Sequence, residues 1–478
     1  MTSRTADEAT PRALLDELLA VAGRDPRAER VAIQGADPVF PLPFRIGSAG
    51  AASIAAAGLA AADLWALGNG GEQDVSVDVR AASAAMRSGT YLRIESESDS
   101  LEQIAPNVRS DVAGMYPARD GRWIYLHCNF AHHRERIRAL LDCSDDREGF
   151  AAAVANWDAA ELESAVVAEG ACAGLVRSSD EWVQGDQANA IAKLPLFEVM
   201  KIGESPPEPA GSGARPLSGV RVLDLTRVLA GPICARTLAE HGADVLRIGN
   251  SHLPEHGLHT IDTGHGKRSV VLDLETADGT EQLRTLARDA DVFSQGYRPG
   301  SLESRGFSAQ ALAEARPGII YVTLSAFGHA GPWSDRRGFD TLVQSVSGFS
   351  DEYADDAADS APRLLPVSAL DYITGYVAAF GVMTALRRRA TEGGSYMVRV
   401  SLAQTGRWVA SLPRVAVDAM RAADDDLGAA EIAALSTTTE SVFGRLTYLA
   451  PVAQLSRTPA RWERPAVPLA HDEPVWLP

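Results

Sequence analysis

Short apolar runs alternate with stretches of about ten residues of helical period through the middle of the chain, and this rhythm is its plainest structural signal. VRVLDLT (220–226) reads as a strand, Pro232 to His241 as a helix and ADVLRI (243–248) as a second strand. The alternation continues through SVVLDL (269–274), a helix over Asp278 to Ala290, DVFSQ (291–295), a helix near Ala309 to Ala315 and GIIYVTLS (318–325). Apolar strands joined by helices need crossover connections, which predicts a mostly parallel sheet covered on both faces. Asp371 then opens a long apolar segment whose basic end, Arg387 to Arg389, suits a helix C-terminus. GGSYMVRVSL (393–402) follows as a turn and strand.

Residues 217–326 are thus expected to form a Rossmann-like layer in an α/β protein, beside a smaller α+β domain. Before that layer, TYLRIESE (90–97) reads as a strand and MYPARDGRWIYLHC (115–128) as a hairpin turning at Asp120-Gly121, while 132–170 looks helical. Ala49 to Leu67 is nearly all apolar, but it is mostly alanine and contains Asp63, so a buried helix fits better than a membrane span. GESPPEPAGSGARP (203–216) holds four prolines and three glycines and marks a seam. The expected organisation is a partial copy with the small α+β domain over 1–202, a linker over 203–216, the Rossmann-like domain over 217–411 and a return segment over 412–478. The acidic stretch 351–360 reads as a solvated loop. An internal echo supports the idea of a partial copy: residues 49–88 laid over 372–411 share nine identities in 40, an offset of 323. At that offset Ser48 takes the place of Asp371.

Composition narrows the function. Of 478 residues 46% are hydrophobic and 23% charged, as in an ordinary soluble protein. The net charge of −18 weighs against nucleic acid and anionic membrane surfaces as partners. Four cysteines without a C-x-x-C pair fit a reducing compartment, and the N-terminal stretch lacks the basic start and apolar core of a signal peptide, so a cytoplasmic location is expected. The sequence contains no G-x-G-x-x-G after a strand, no P-loop and no G-x-S-x-G elbow. His127, Cys128, His132 and His133 have no second ligand cluster to complete a site, so no metal is expected.

PLSGVRVLDLTRVLAGP (216–232), GADVLRI (242–248), GKRSVVLDL (266–274), YRPG (297–300), SAFGHAGPW (325–333), RGFDTLVQSVSG (337–348) and GG-x(3)-VRVSL (393–402) occur in one order. Together they resemble the family III CoA-transferases, the group of formyl-CoA, carnitine-CoA and bile-acid CoA transferases and α-methylacyl-CoA racemases. YPARDGRWIYLH, CAGLVRSSDEWVQ (172–184) and LPLFEVMKIG (194–203) are similar to the small domain that such enzymes place after the catalytic aspartate, yet here they come first. The tail GRLTYLAPVAQLSRTPARWERP (444–465) is similar to the family's return segment.

The resemblance implies a CoA-transferase with Asp371 as nucleophile. A carboxylate shielded from water attacks the thioester to give an acyl-aspartyl anhydride, and the returning thiolate gives an aspartyl-CoA thioester from which an incoming acid takes the CoA. It also implies CoA contacts at Arg227, Ala230, Lys267, Arg268, Leu272, Tyr297, Arg298 and Arg337, with no permanently bound cofactor and acyl-CoA and a carboxylic acid as partners. An interlocked homodimer is implied as well. Departures from the family pattern occur at Gly249-Asn250, at Ser304 with Arg305 one place later, and at Leu229, where formyl-CoA transferases carry a polar amide. The racemases carry a histidine where this chain has Phe339, and phenylalanine transfers no proton, so transfer is favoured over racemisation. If a base were needed, His329 or His265 would be the nearest candidates in sequence. An inactive CoA-binding subunit is the remaining alternative.

Overall fold

The computed structural model describes every residue except 1–3, 6, 26–29, 97–109, 254–256, 355–360 and 478. The first part of the chain runs through β1 (Val31–Gln34), helix α1 (Ile46–Asn69), β2 (Val75–Asp78), helix α2 (Val79–Ala85) and β3 (Arg93–Glu95). The expected hairpin is β4 (Gly114–Pro117) with β5 (Trp123–Leu126). Three helices over Ala131–Leu141, Arg147–Val154 and Ala159–Ala168 occupy the stretch read as helical, followed by β6 (Ala173–Leu175) and β7 (Glu198–Gly203). Residues 204–212, inside the proline-rich seam, carry no regular element.

Beyond the seam the predicted alternation forms β8 (Arg221–Asp224), helix α3 (Ala230–Glu240), β9 (Asp244–Gly249), β10 (Lys267–Val271), β11 (Val292–Gln295) and β12 (Ile320–Ser325). Helix α4 (Asp340–Val346), the long helix α5 (Ala369–Glu392), β13 (Ser395–Ser401) and helix α6 (Leu402–Ala410) follow. The chain then forms β14 (Ser436–Ser441), β15 (Gly444–Leu449) and β16 (Gln454–Leu455). Of the acidic stretch 351–360, residues 355–360 lie outside the described residues, and Glu352 ends a short helix and pairs with Arg414.

The seven-stranded sheet has the order β10-β9-β8-β11-β12-β13-β7, parallel except for β7, which runs antiparallel to β13. The strand order reverses between β8 and β11, and in open α/β sheets the crevice beyond the strand ends at such a reversal is where ligands bind. β10 differs from expectation by starting at Lys267 and ending at Val271 rather than spanning 269–274. Two charged residues begin this strand because each meets a carboxylate there: Lys267 pairs with Asp224 and Arg268 with Asp244. Among the described residues two helices are long and apolar enough to cross a membrane, α1 and α5, and both are packed inside the protein.

The echo at offset 323 is structural. Helices α1 and α5 have matching bounds at that offset, β2 matches the last four residues of β13, α2 and α6 start at matching residues, and the β4–β5 hairpin matches β14–β15. GRWIYL (121–126) and GRLTYL (444–449) align at the same offset. Pairing repeats too: β1 lies parallel and β16 antiparallel to β2, as β12 lies parallel and β7 antiparallel to β13. Glycines recur where each helix presses on its strand. A Cβ on Gly58 would stand 3.0 Å from Val75 Cγ1, and one on Gly381 2.7 Å from Val398 Cγ1, so neither position has room for a side chain. Residues 127–197 separate β5 from β7, whereas only 450–453 separate β15 from β16.

Candidate active site

β8 ends at Asp224, whose buried carboxylate organises the turn that follows. It accepts hydrogen bonds from Thr226 N at 3.0 Å, from the Thr226 hydroxyl and from Lys267 Nζ at 2.8 Å; Lys267 also donates to the Pro232 carbonyl at 2.8 Å. Within this turn Val228 has φ 72°, a left-handed conformation that a β-branched residue adopts only when its surroundings impose it. The turn delivers the first N–H of α3, at Ala230, to the carboxylate of Asp371 in the first turn of α5. Gly375, one turn further along α5, allows the close approach: a Cβ there would lie 2.6 Å from the Ala230 carbonyl oxygen.

Asp371 is only 7% exposed. Its backbone N–H donates to Asp340 Oδ2 at 3.0 Å, and Leu370 N–H donates to the same carboxylate. Asp340 also accepts from the Gln344 amide, whose own oxygen receives Leu365 N–H at 2.8 Å, so the irregular segment leading into α5 is tied down from one side. Burial pushes the Asp371 carboxyl well above the usual aspartate range, the Asp340 charge adds to the rise, and the Ala230 N–H opposes it. Burial likewise raises Asp340, to about 6, against the three donors that favour its ionised form. A carboxylate in this setting is poorly hydrated and correspondingly reactive towards an electrophilic carbonyl once ionised.

The remaining expected residues divide into two groups. Arg227, Tyr297, Arg298 and Arg337 stand on the loops that follow β8, β11 and β12, beside the reversal in strand order. Partial burial, helped by the charges of Arg298 and Arg136, pushes the Arg337 guanidinium down from its ordinary value. The Arg227 guanidinium sits 6.0 Å from the Phe130 ring centroid. Lys267, Arg268 and Leu272 are placed otherwise: the two cations are engaged by Asp224 and Asp244, Arg268 also donates to the Val475 carbonyl, and Leu272 is a core residue.

Phe339 stacks on His127 with ring centroids 4.0 Å apart and planes 12° apart, and His127 Nδ1 faces the Thr341 hydroxyl at 3.3 Å. His329 is held by the Val400 carbonyl, and His265 stacks on Tyr448; burial pushes the first down to about 4 and the second to about 3. The sequence reading did not single out Asp340. Its signal was present, because it is the acidic residue directly after Phe339 in RGFD. Phe130, His127 and Arg136 carried no such signal, since they reach the site from the region before the seam. Among the described residues no group of three or more metal-ligating side chains is assembled.

A sequence model of CoA-transferase family III matches residues 217–433. An acetyl-coenzyme A transferase of Hypoxylon pulicicidum is 30% identical over 324 residues, covering 63% of this chain and 54% of its own. A succinate–glutarate CoA-transferase of Agrobacterium fabrum is 33% identical over 208 residues, covering 39% and 51%. A crystal structure of a Mycobacterium tuberculosis protein aligns over 40% of this chain and 57% of that chain at 30% identity, with a TM-score of 0.38. The chain spans about half the length of the curated relatives it matches.

Proposed function

The chain belongs to CoA-transferase family III through residues 217–433, and from that membership we propose that it moves CoA from an acyl-CoA thioester to a carboxylic acid, with Asp371 as the covalent nucleophile. The observation that supports this reading is the buried Asp371 carboxylate, received by an α3 N–H beside the strand-order reversal. In the first step an Asp371 oxygen bonds to the thioester carbonyl carbon, the C–S bond breaks and CoA leaves as thiolate. The thiolate then attacks the aspartyl carbonyl of the anhydride, which releases the first acid and leaves an aspartyl-CoA thioester. The acceptor carboxylate attacks that thioester, expelling the thiolate and forming a second anhydride. Attack of the thiolate on the acceptor carbonyl yields the new acyl-CoA and restores Asp371. No water or net proton enters, so a buried site suits the chemistry and protects the intermediates from hydrolysis.

Arg227, Arg298 and Arg337 are the cations we assign to the phosphates of CoA, because they stand on the loops beside the strand-order reversal. Mass spectrometry after incubation with a panel of acyl-CoAs tests the covalent step. Added mass is expected on the peptide containing Asp371; transfer that proceeds with no adduct there, or with an adduct elsewhere, would overturn the reading.

Two further outcomes follow from the site. Because Phe339 offers no proton, turnover of a 2-methylacyl-CoA in deuterium oxide is expected to move CoA to an added acid while the α-proton stays. Deuterium entering the α-carbon faster than CoA moves would favour a racemase. Asp340→Asn keeps an acceptor for the α5 N–H groups but removes a charge that raises Asp371. Asp371 then stays ionised to lower pH, so the acidic limb of the rate profile is expected to shift downward. An unmoved limb would assign Asp340 to helix capping alone.

A further inference from the structure

We propose that this chain is its own partner: its first repeat takes the place that a second copy would occupy, and the interlock between copies is closed within one polypeptide. In a two-fold dimer the same surface meets itself, so that equivalent elements face one another. Here α1 and α5, equivalent at offset 323, make the most extensive helix-to-helix contact among the described residues. α1 thus covers a face of α5 from within the same chain.

The strands are exchanged reciprocally. β7 closes the first repeat but pairs with β13 of the second, while β16 closes the second repeat and pairs with β2 of the first. Between two chains this would be a domain swap. Each repeat also supplies what the other lacks. Among the described residues the strands β8 to β11 occur only in the second repeat, and the helices within 127–197 only in the first. The candidate site uses both, with Phe130 of the first repeat under Arg227 of the second and His127 stacked on Phe339.

The first repeat keeps the cradle of the site without its nucleophile. Asp37 accepts Gly47 N–H at 3.0 Å and Ser48 N–H at 2.7 Å at the start of α1, as Asp340 accepts Leu370 and Asp371 N–H at the start of α5. Where Asp371 stands in one cradle, Ser48 stands in the other, so one chain carries one equipped site. The interlocked homodimer expected from the family resemblance is replaced by an interlock inside the chain.

Ser76 and Gln454 are register partners across β2 and β16, so a cysteine pair placed there reports which chain closes the sheet. The full-length Ser76→Cys, Gln454→Cys chain, oxidised at low concentration, is expected to lose two thiols. It should migrate as one chain under denaturing, non-reducing conditions, with peptide mapping showing the 76–454 linkage. This readout does not depend on enzymatic activity. A linkage joining two chains, or none forming in protein shown to be folded by circular dichroism, would overturn the proposal.

Discussion

Asp371→Asn is expected to lower CoA transfer by roughly a thousandfold or more while leaving CoA affinity nearly unchanged, because the amide keeps the shape and loses the nucleophile. The same substitution is expected to stabilise the fold at neutral pH. Burial holds the folded-state pKa of Asp371 above its unfolded value. The stability linked to its protonated form is therefore complete below the unfolded pKa and is lost as pH rises through the folded one. Asparagine has no such loss, so the melting-temperature difference between variant and wild type should move in the variant's favour as pH climbs from acid to neutral. Steady-state rates, calorimetric CoA binding and melting curves across that range give the three readouts. Ser48→Ala, at the matching place in the first repeat, serves as the control and should leave transfer unchanged. Substantial turnover in a deamidation-free Asp371→Asn preparation would remove Asp371 from the nucleophile's role.

Asp224→Ala is expected to destabilise the protein by about 3–5 kcal/mol, the range for breaking one side of a buried ion pair. Both partners are withdrawn from water, with Lys267 2% exposed and Asp224 0%, so removing the carboxylate strands an ammonium in the sheet. The turn loses both Thr226 bonds as well, and with them the constraint that aims α3 at Asp371. A marked fall in the urea midpoint is the expected measurement. The double variant Asp224→Leu, Lys267→Met should recover much of the loss, because two apolar groups leave no unpaired charge. Equal midpoints for wild type and Asp224→Ala would show that Lys267 finds another partner.

Much of the layer that holds the site was legible because β8, β9, β11, β12 and β13 are short apolar runs bounded by turns or helix caps. β10 was displaced because Lys267 and Arg268 read as residues outside a strand, and only the tertiary pairs with Asp224 and Asp244 make them strand residues. Asp371 was accessible through motif order, whereas its relation to Asp340 depends on the close approach of α4 and α5, which no local pattern encodes. The exchange of β7 and β16 was hidden for a stronger reason: a two-residue strand such as Gln454-Leu455 has almost no periodicity, and its partner lies in another repeat.

That exchange also orders the chain in time. Val75 and Leu455 are paired across 380 residues, so during synthesis the edge of β2 and the alanine-rich surface of α1 exist long before β16 and α5 arrive to cover them. Contacts this distant in sequence slow folding, and an uncovered strand edge invites pairing with other nascent chains. The first repeat is therefore expected to wait on the ribosome as an incomplete, chaperone-dependent half, and the sheet of β1, β2 and β16 to close only after the layer that carries the chemistry has been made.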